Sequence, residues 1–141
     1  MDIQYVVAFD YNQTVRQHLK KKHQASFDES VHMNKLRQIQ PSINYNSKIG
    51  VYSRKDEMVV TRLKIGHTYL TNGYLLRGED PPYCHADECD ITVKHILTEC
   101  WGFEEQRRRF LNAPNYSDLF KRENLAKLIE FCKQSEIYNL I

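Results

Sequence analysis

The residues best suited to chemistry in this sequence lie between positions 84 and 100, where CHADECDITVKHILTEC holds three Cys and two His. Their spacing is Cys84-x4-Cys89, followed by His95-x4-Cys100. Thiolates and imidazoles are the ligands that zinc prefers, and four of them in two close pairs form a structural site. The gap between the pairs is shorter than in a DNA-reading finger and nearer the scale of a zinc knuckle. We therefore predict a structural zinc site of the CCHC type formed by Cys84, Cys89, His95 and Cys100.

Several alternatives to this ligand set stay open. His85 and Asp87 compete for the place of Cys89. Side chains five residues apart on an α-helix point about 140° apart, so His95 and Cys100 share a metal only if the helix loosens before Cys100. The cluster also allows a disulfide with a spare thiol, buried thiols without metal, or a catalytic Cys–His pair. Outside the cluster, Cys132 is assigned to the apolar core, and Trp101 is expected to wall the metal site.

The rest of the chain favours helices that would position this cluster. Capping signals predict a helix that begins after Ser53 and ends at Gly66, and the apolar residues of 125–132 follow helical spacing. Shorter helices are predicted from Tyr69 to Leu76, from about Thr92 to Trp101, and over 104–111. No strand pair is predicted. The predicted class is mainly α, with residues 54–141 forming a small helical domain held together by the zinc site.

Residues 1–53 are predicted to form an N-terminal helical segment and a linker. The first forty residues are predicted to be helical. Asn12 or Thr14 can cap an N-terminus, and Val15 and Leu19 lie one helical turn apart. Further apolar residues at helical spacing continue the pattern until Pro41: Phe27, Val31, Leu36 and Ile39. Residues 41–53, rich in Pro, Gly, Asn and Ser, form the linker. Between Thr14 and His23 the segment has four Lys or Arg and no acidic residue. Such a run is typical of a phosphate-binding surface, and a solvated helix face is the ordinary alternative.

Composition narrows the class of protein. The 141-residue chain carries 20 Lys and Arg against 18 Asp and Glu, a formal net charge of +2. This balance excludes a nucleic-acid-binding protein whose whole surface is basic, but it allows local basic patches. No apolar stretch reaches the roughly 20 residues of a membrane helix, and a secretory signal is not expected, because no basic segment precedes the short apolar run near the start. We expect an intracellular protein of the nucleus or cytoplasm, whose thiols stay reduced.

The run TRLKIGHTYLTNGYLLRGEDPP, followed by the first Cys and then by DITVKHILTEC, resembles the C-terminal tail of jockey-like non-long-terminal-repeat retrotransposon polyproteins. Residues 10–43, ending in NKLRQIQPSI, more weakly resemble the helix that precedes this tail. In that family the tail follows reverse transcriptase and RNase H domains. The resemblance implies that Cys84, His95 and Cys100 are metal ligands. The family's second Cys falls at Asp87 here, and a thiol follows two residues later as Cys89.

The resemblance further implies an accessory nucleic-acid-binding module that is not itself an enzyme, because the Mg²⁺-binding carboxylates of polymerase and RNase H would lie upstream. Its expected partners are RNA or single-stranded DNA and the upstream domains of the same polyprotein, and no membrane. A protein-interaction or scaffold remnant without nucleic-acid affinity is the alternative, and a thiol enzyme is a third possibility.

The basic residues that could contact nucleic acid lie outside the metal loop, because Glu79 to Asp90 holds five acids and no Lys or Arg. The candidates are Arg16, Lys20, Lys21, Lys22, Arg62, Lys64, Arg107, Arg108 and Arg109. His67 and Tyr69 could add stacking surfaces for bases, although packing of His67 at a helix end is the favoured interpretation.

Overall fold

A computed structural model describes residues 3–29, 37, 39–40, 42 and 52–141, with side chains from residue 11 onward. Over these residues the chain is mainly helical, as predicted. The chain divides into two compact units, Met1–Ser47 and Lys48–Ile141. The predicted division into 1–53 and 54–141 stays a prediction, because most of the linker assigned to residues 41–53 lies outside the described residues.

Helix α1 spans Ile3–Glu29. Its predicted start at Asn12 or Thr14 is wrong, because no Gly or Pro interrupts residues 3–11 and a nucleated helix propagates through such a stretch. Val15 and Leu19, whose spacing indicated an apolar face, are exposed. Farther along, Phe27 is half-buried and Ile39 is buried. The other residues of that apolar pattern, Val31 and Leu36, lie outside the described residues.

Helix α2 spans Arg54–Ile65, the bounds that its capping residues predict. Ser53 Oγ accepts the amide of Asp56 at 3.2 Å, and the Asp56 carboxylate accepts the amide of Ser53 at 3.3 Å. Gly66 ends the helix in the left-handed region at φ 71°, where an added side chain would be strained. The predicted helix from Tyr69 to Leu76 is divided at Gly73 into two single turns, α3 (Tyr69–Asn72) and α4 (Tyr74–Arg77).

A short hairpin follows, in which β1 (Tyr83–Cys84) pairs antiparallel with β2 (Cys89–Asp90). The prediction of no strand pair is wrong here, because strands of two residues are too short to show an alternating pattern. The remaining elements are a π-helix at His95–Glu99, a 3₁₀ turn at Trp101–Phe103, α5 at Glu104–Phe110, 3₁₀ turns at Tyr116–Phe120 and Arg122–Asn124, and α6 at Leu125–Gln134.

Helix α6 forms the centre of the core in the unit 48–141. Its apolar stripe, Leu125, Leu128, Ile129 and Cys132, is at most 4% exposed, which confirms both the predicted stripe and the assignment of Cys132 to the core. Helix α6 contacts α2 and α5. The Phe131 ring meets the ring of Phe103 edge to face at 6.2 Å. The segment directly after the Cys and His residues is therefore anchored on the core.

Candidate metal centre

The β1–β2 hairpin carries the first group of candidate ligands. Cys84 faces Cys89 in the strand register, and the pairing continues through the amide of Ile91, which donates to the Pro82 carbonyl at 2.9 Å. The connecting residues 85–88 turn through Glu88, which adopts a φ of 50°. This turn places the Asp87 carboxylate beside Cys84.

The π-helix supplies His95, and Cys100 follows directly after it. The amide of Cys100 donates to the carbonyl of His95 at 2.8 Å, a hydrogen bond that spans five residues instead of the four of an α-helix. The wider turn brings side chains five residues apart closer to one line. Cys100 itself leaves helical geometry, with φ −53° and ψ 121°. The loosening that a shared metal would require before Cys100 is therefore present.

Four side chains converge into one group: Cys84, Asp87, His95 and Cys100, whose ligand atoms all lie within 4.8 Å of one another. The Sγ atoms of Cys84 and Cys100 are 3.9 Å apart. The Oδ2 atom of Asp87 lies 3.3 Å from Cys84 Sγ and 3.3 Å from His95 Nε2. Both thiols and the imidazole are buried, whereas Asp87 is half-buried. The group is therefore Cys₂His with a carboxylate and differs from the predicted CCHC set in one member.

Cys89 lies beside this group and not within it. Its Sγ is 3.4 Å from His95 Nδ1 and 3.8 Å from Nε2. Nδ1 also lies 3.9 Å from the Glu99 carboxylate. The imidazole thus turns Nε2 toward the group and Nδ1 toward Cys89. His85, the other alternative ligand, is exposed and packs against the Tyr83 ring at 5.4 Å between centroids.

The acidic side chains in and beside the group affect one another's ionisation. The amide of Trp101 donates to Asp87 at 3.0 Å and is the main cause of the lowered pKa of that carboxyl. Desolvation raises the pKa of Cys89, with further contributions from Cys84 and Asp87. Desolvation also raises the pKa of Cys100, and neighbouring Cys84 adds to this effect. Negative charge on one of these side chains disfavours negative charge on its neighbours, and a bound cation would relieve this repulsion. The group is therefore a suitable environment for a metal cation.

Two residues that the sequence did not assign to the metal site, Thr92 and Arg107, orient these ligands. The hydroxyl of Thr92 accepts the amide of His95 at 3.0 Å. Arg107 donates from Nη1 to the carbonyls of Cys100 and of Ile96, the latter at 3.4 Å, and from Nη2 to that of Glu99 at 3.3 Å. Its guanidinium therefore adds a donor to carbonyls at the end of the π-helix, where helical hydrogen bonding is incomplete. Of these, the Cys100 carbonyl also accepts the amide of Phe103 at 3.2 Å. The sequence carries only a weak signal for the role of Arg107, namely a basic residue in the helix that follows the cluster.

Trp101 does not form the expected hydrophobic wall. Its side chain is 70% exposed, and its contribution to the site is the backbone amide that donates to Asp87. The reason is the 3₁₀ turn at Trp101–Phe103, which directs Phe103 onto the core.

The predicted nucleic-acid-binding residues fall into three situations. The basic segment of α1 is exposed, and it consists of Arg16, Lys20, Lys21 and Lys22. Lys64 is only 7% exposed, because it follows the buried Val60 by one helical turn, and desolvation lowers its pKa. The remaining four arginines contact other groups of the protein. Arg62 donates to the Ile141 carbonyl at 2.7 Å, and Arg107 donates to the carbonyls at the end of the π-helix. Arg108 pairs with Glu104, and the guanidinium of Arg109 lies over the Phe110 ring.

The chain matches no protein-family model, no curated protein and no solved structure. The resemblance to the retrotransposon tail therefore stays a prediction. Across the residues that the structure describes, no helix combines the length and the apolar character needed to cross a membrane.

Proposed function

We propose that Cys84, Asp87, His95 and Cys100 bind one structural Zn²⁺. The donor set suits zinc, which takes thiolate, imidazole and carboxylate ligands in a tetrahedron. With Zn–S of about 2.3 Å and Zn–N or Zn–O near 2.0–2.1 Å, two sulfurs lie about 3.8 Å apart and a nitrogen and an oxygen about 3.4 Å. The distances in the group are 3.9 and 3.3 Å. These separations are the observation that carries the proposal.

The role of this zinc is structural, because four protein ligands leave no position for a reactive water. The ion would join the hairpin to the π-helix, two segments too short to be stable alone. Asp87 is the fourth ligand, and Cys89 supports His95 through Nδ1. Groups that hold the second nitrogen of a metal-bound His typically change metal affinity about 10- to 100-fold when they are removed.

Native mass spectrometry and competition with a chelator test the ligand set. We expect one zinc per chain, a severe loss of affinity in Asp87→Ala, and a moderate loss in Cys89→Ser. His85→Ala is the matched control, since it removes an exposed donor from the same loop and should leave affinity unchanged. A severe loss in Cys89→Ser with little change in Asp87→Ala would instead establish the CCHC set. A metal-free chain that stays folded would refute the centre.

We further propose that the protein is an accessory nucleic-acid-binding module of a retroelement polyprotein and has no catalytic activity of its own. The basic segment of α1 supports this role, because Arg16, Lys20, Lys21 and Lys22 are exposed and no acidic residue lies between Thr14 and His23. Arg16 and Lys20 also line one groove on the same face of the helix. Cations in such an array bind phosphates and release their counterions.

Binding of a labelled single-stranded oligonucleotide across a salt series tests this role. The logarithm of affinity falls with the logarithm of salt by about 0.7 for each phosphate contact, so Lys20, Lys21 and Lys22→Ala together should reduce the slope by up to about 2. The control replaces Arg54, Arg122 and Lys127, which are exposed and carry the same total charge. Equal effects of the two triple variants would show a nonspecific charge effect and contradict the assignment to α1.

A protein-interaction module is the second candidate. The exposed side chains of Leu75 and Leu76, the latter 85% exposed, favour it. If the protein has no affinity for RNA or single-stranded DNA at about 50 mM salt, where phosphate contacts are strong, this second function replaces the first.

A further inference from the structure

A groove of about 360 Å³ lies where α2 meets the two turns α3 and α4. Its walls combine an aromatic ring, a guanidinium, an imidazole, an amide and two leucines. These side chains belong to Tyr69, Arg62, His67, Asn72, Leu75 and Leu76. None of the lining residues that the structure describes is acidic. The groove therefore offers hydrophobic surface and hydrogen-bond donors without a charge that would repel a phosphate.

The Tyr69 ring is held in place although it is 52% exposed. The Arg77 guanidinium lies 5.1 Å from the ring centroid and is itself fixed by Glu79 at 2.6 Å. Gly73 provides the space for this pair: a Cβ there would lie 2.9 Å from Tyr69 Cδ2 and 3.0 Å from Arg77 Nη1. An aromatic ring held in this way presents a stacking surface at little cost in side-chain entropy.

The other groove residues supply polar contacts. Arg62 uses Nη1 to bind the Ile141 carbonyl, which fixes the guanidinium at the groove wall and leaves its other N–H groups for a ligand. The Thr71 hydroxyl donates to Asn72 Oδ1 at 2.7 Å, so the Asn72 amide nitrogen is available as a donor. His67 is exposed and not packed at the end of α2 as the sequence favoured.

We propose that this groove binds an unpaired base of a single-stranded nucleic acid. The base stacks on Tyr69 with Leu75 and Leu76 at its edge, and Arg62 binds an adjacent phosphate. Stacking on aromatic rings beside cationic groups is the general mode of sequence-tolerant single-strand binding. The inference rests on the proposed nucleic-acid function and adds a contact to bases, which the basic segment of α1 does not provide. A cationic groove without acids suits a polyanion better than an uncharged apolar peptide.

The test separates base contacts from phosphate contacts. Affinity is measured for a single-stranded DNA oligonucleotide and for an abasic oligonucleotide of equal length, with wild type, Tyr69→Ala and Tyr11→Ala. Tyr11 is an exposed tyrosine outside the groove and serves as the matched control. We expect Tyr69→Ala to weaken binding of the normal strand by roughly 5- to 160-fold, the range of one stacked base, and to leave abasic binding unchanged. Tyr11→Ala should match wild type on both probes.

A fluorescence readout provides a second measurement. In the double variant Tyr69→Trp and Trp101→Phe, the one remaining indole lies in the groove, and stacking should quench its emission on addition of the normal strand but not of the abasic strand. Equal binding of the normal strand by wild type and Tyr69→Ala, without quenching, overturns the groove while leaving the α1 role intact. If neither probe binds wild type, the proposed function fails as well. If Tyr69→Ala changes only self-association, the groove is a protein-docking surface.

Discussion

Replacing Arg107 with Ala should destabilise the unit 48–141 and weaken zinc binding at the proposed metal centre. The guanidinium donates to the carbonyls of Cys100, Glu99 and Ile96. These carbonyls lie in and directly after the π-helix, which begins at His95 and is followed by Cys100. Alanine leaves these carbonyls without that donor. We therefore expect the π-helix to fray at the residues that place two ligands.

The magnitude follows from the geometry of the three bonds. A hydrogen bond to a charged group contributes about 1.5–3 kcal/mol. Only the bond to Cys100 is close, whereas those to Glu99 and Ile96 are 3.3 and 3.4 Å and therefore weaker. Glu99 is exposed, so water replaces part of the loss there. We expect the variant to lose about 2 kcal/mol of unfolding free energy, a fall in Tm of about 8–16 °C for a domain of this size.

Thermal unfolding followed by circular dichroism, with and without excess zinc, measures this loss. Arg107→Lys should lie between wild type and Arg107→Ala, because an ammonium cannot serve two carbonyls through separate nitrogens as the guanidinium does. Arg108→Ala is the matched control. It removes an adjacent arginine whose side chain is 79% exposed and pairs with Glu104 one turn earlier on the same helix.

A direct comparison decides the outcome. If Arg107→Ala and Arg108→Ala have the same Tm and the same zinc affinity, the carbonyl contacts do not support the site and the reasoning is refuted. If both also bind oligonucleotides as wild type does, Arg107 and Arg108 take no part in nucleic-acid binding.

Three further predictions follow from the described contacts. Cys132→Ser should lower the free energy of unfolding, measured in urea, by about 1–3 kcal/mol, because it places a hydroxyl in the apolar core, where burial raises the pKa of the native thiol to about 12. The zinc stoichiometry should not change, and loss of zinc would contradict the assignment of Cys132 to the core. The pKa of Asp56 lies below its ordinary value of 3.8. Burial of the carboxyl raises this pKa, but the hydrogen bonds from Ser53 and Tyr138 and the charge of Lys133 lower it by more. The ionised Asp56 carboxylate therefore stabilises the fold above pH 3.8, and this stabilisation is lost as pH falls through the lower pKa of the folded state. We expect Asp56→Asn to lower the free energy of unfolding by roughly 1 kcal/mol at pH 7 and by less in acid. An equal loss from pH 7 to pH 2 would exclude the ionic contribution. Zinc affinity should rise between about pH 6 and 8, because the raised pKa of Cys100 lets a proton compete with zinc for its sulfur. A flat profile in chelator competition would argue against thiolate ligands.

The local parts of the fold follow directly from sequence. Ser53 and Gly66 delimit α2 because capping depends on residues a few positions away. The stripe on α6 is buried because helical spacing alone puts four apolar side chains on one face. The start of α1 was missed, since an N-cap residue inside a stretch without breakers does not force a helix to begin there.

For the candidate metal centre, the sequence by itself determined the segment, the two thiols Cys84 and Cys100, and the imidazole of His95, because close spacing of soft ligands is a local property. Only the tertiary structure placed Asp87 in the group and Cys89 beside it, through a turn at Glu88 and the amide of Trp101. It also assigned Arg107 to the carbonyls of the π-helix and buried Lys64. Which donor faces a shared centre, and which cation meets solvent, depends on how separate segments pack, and residue spacing does not encode that.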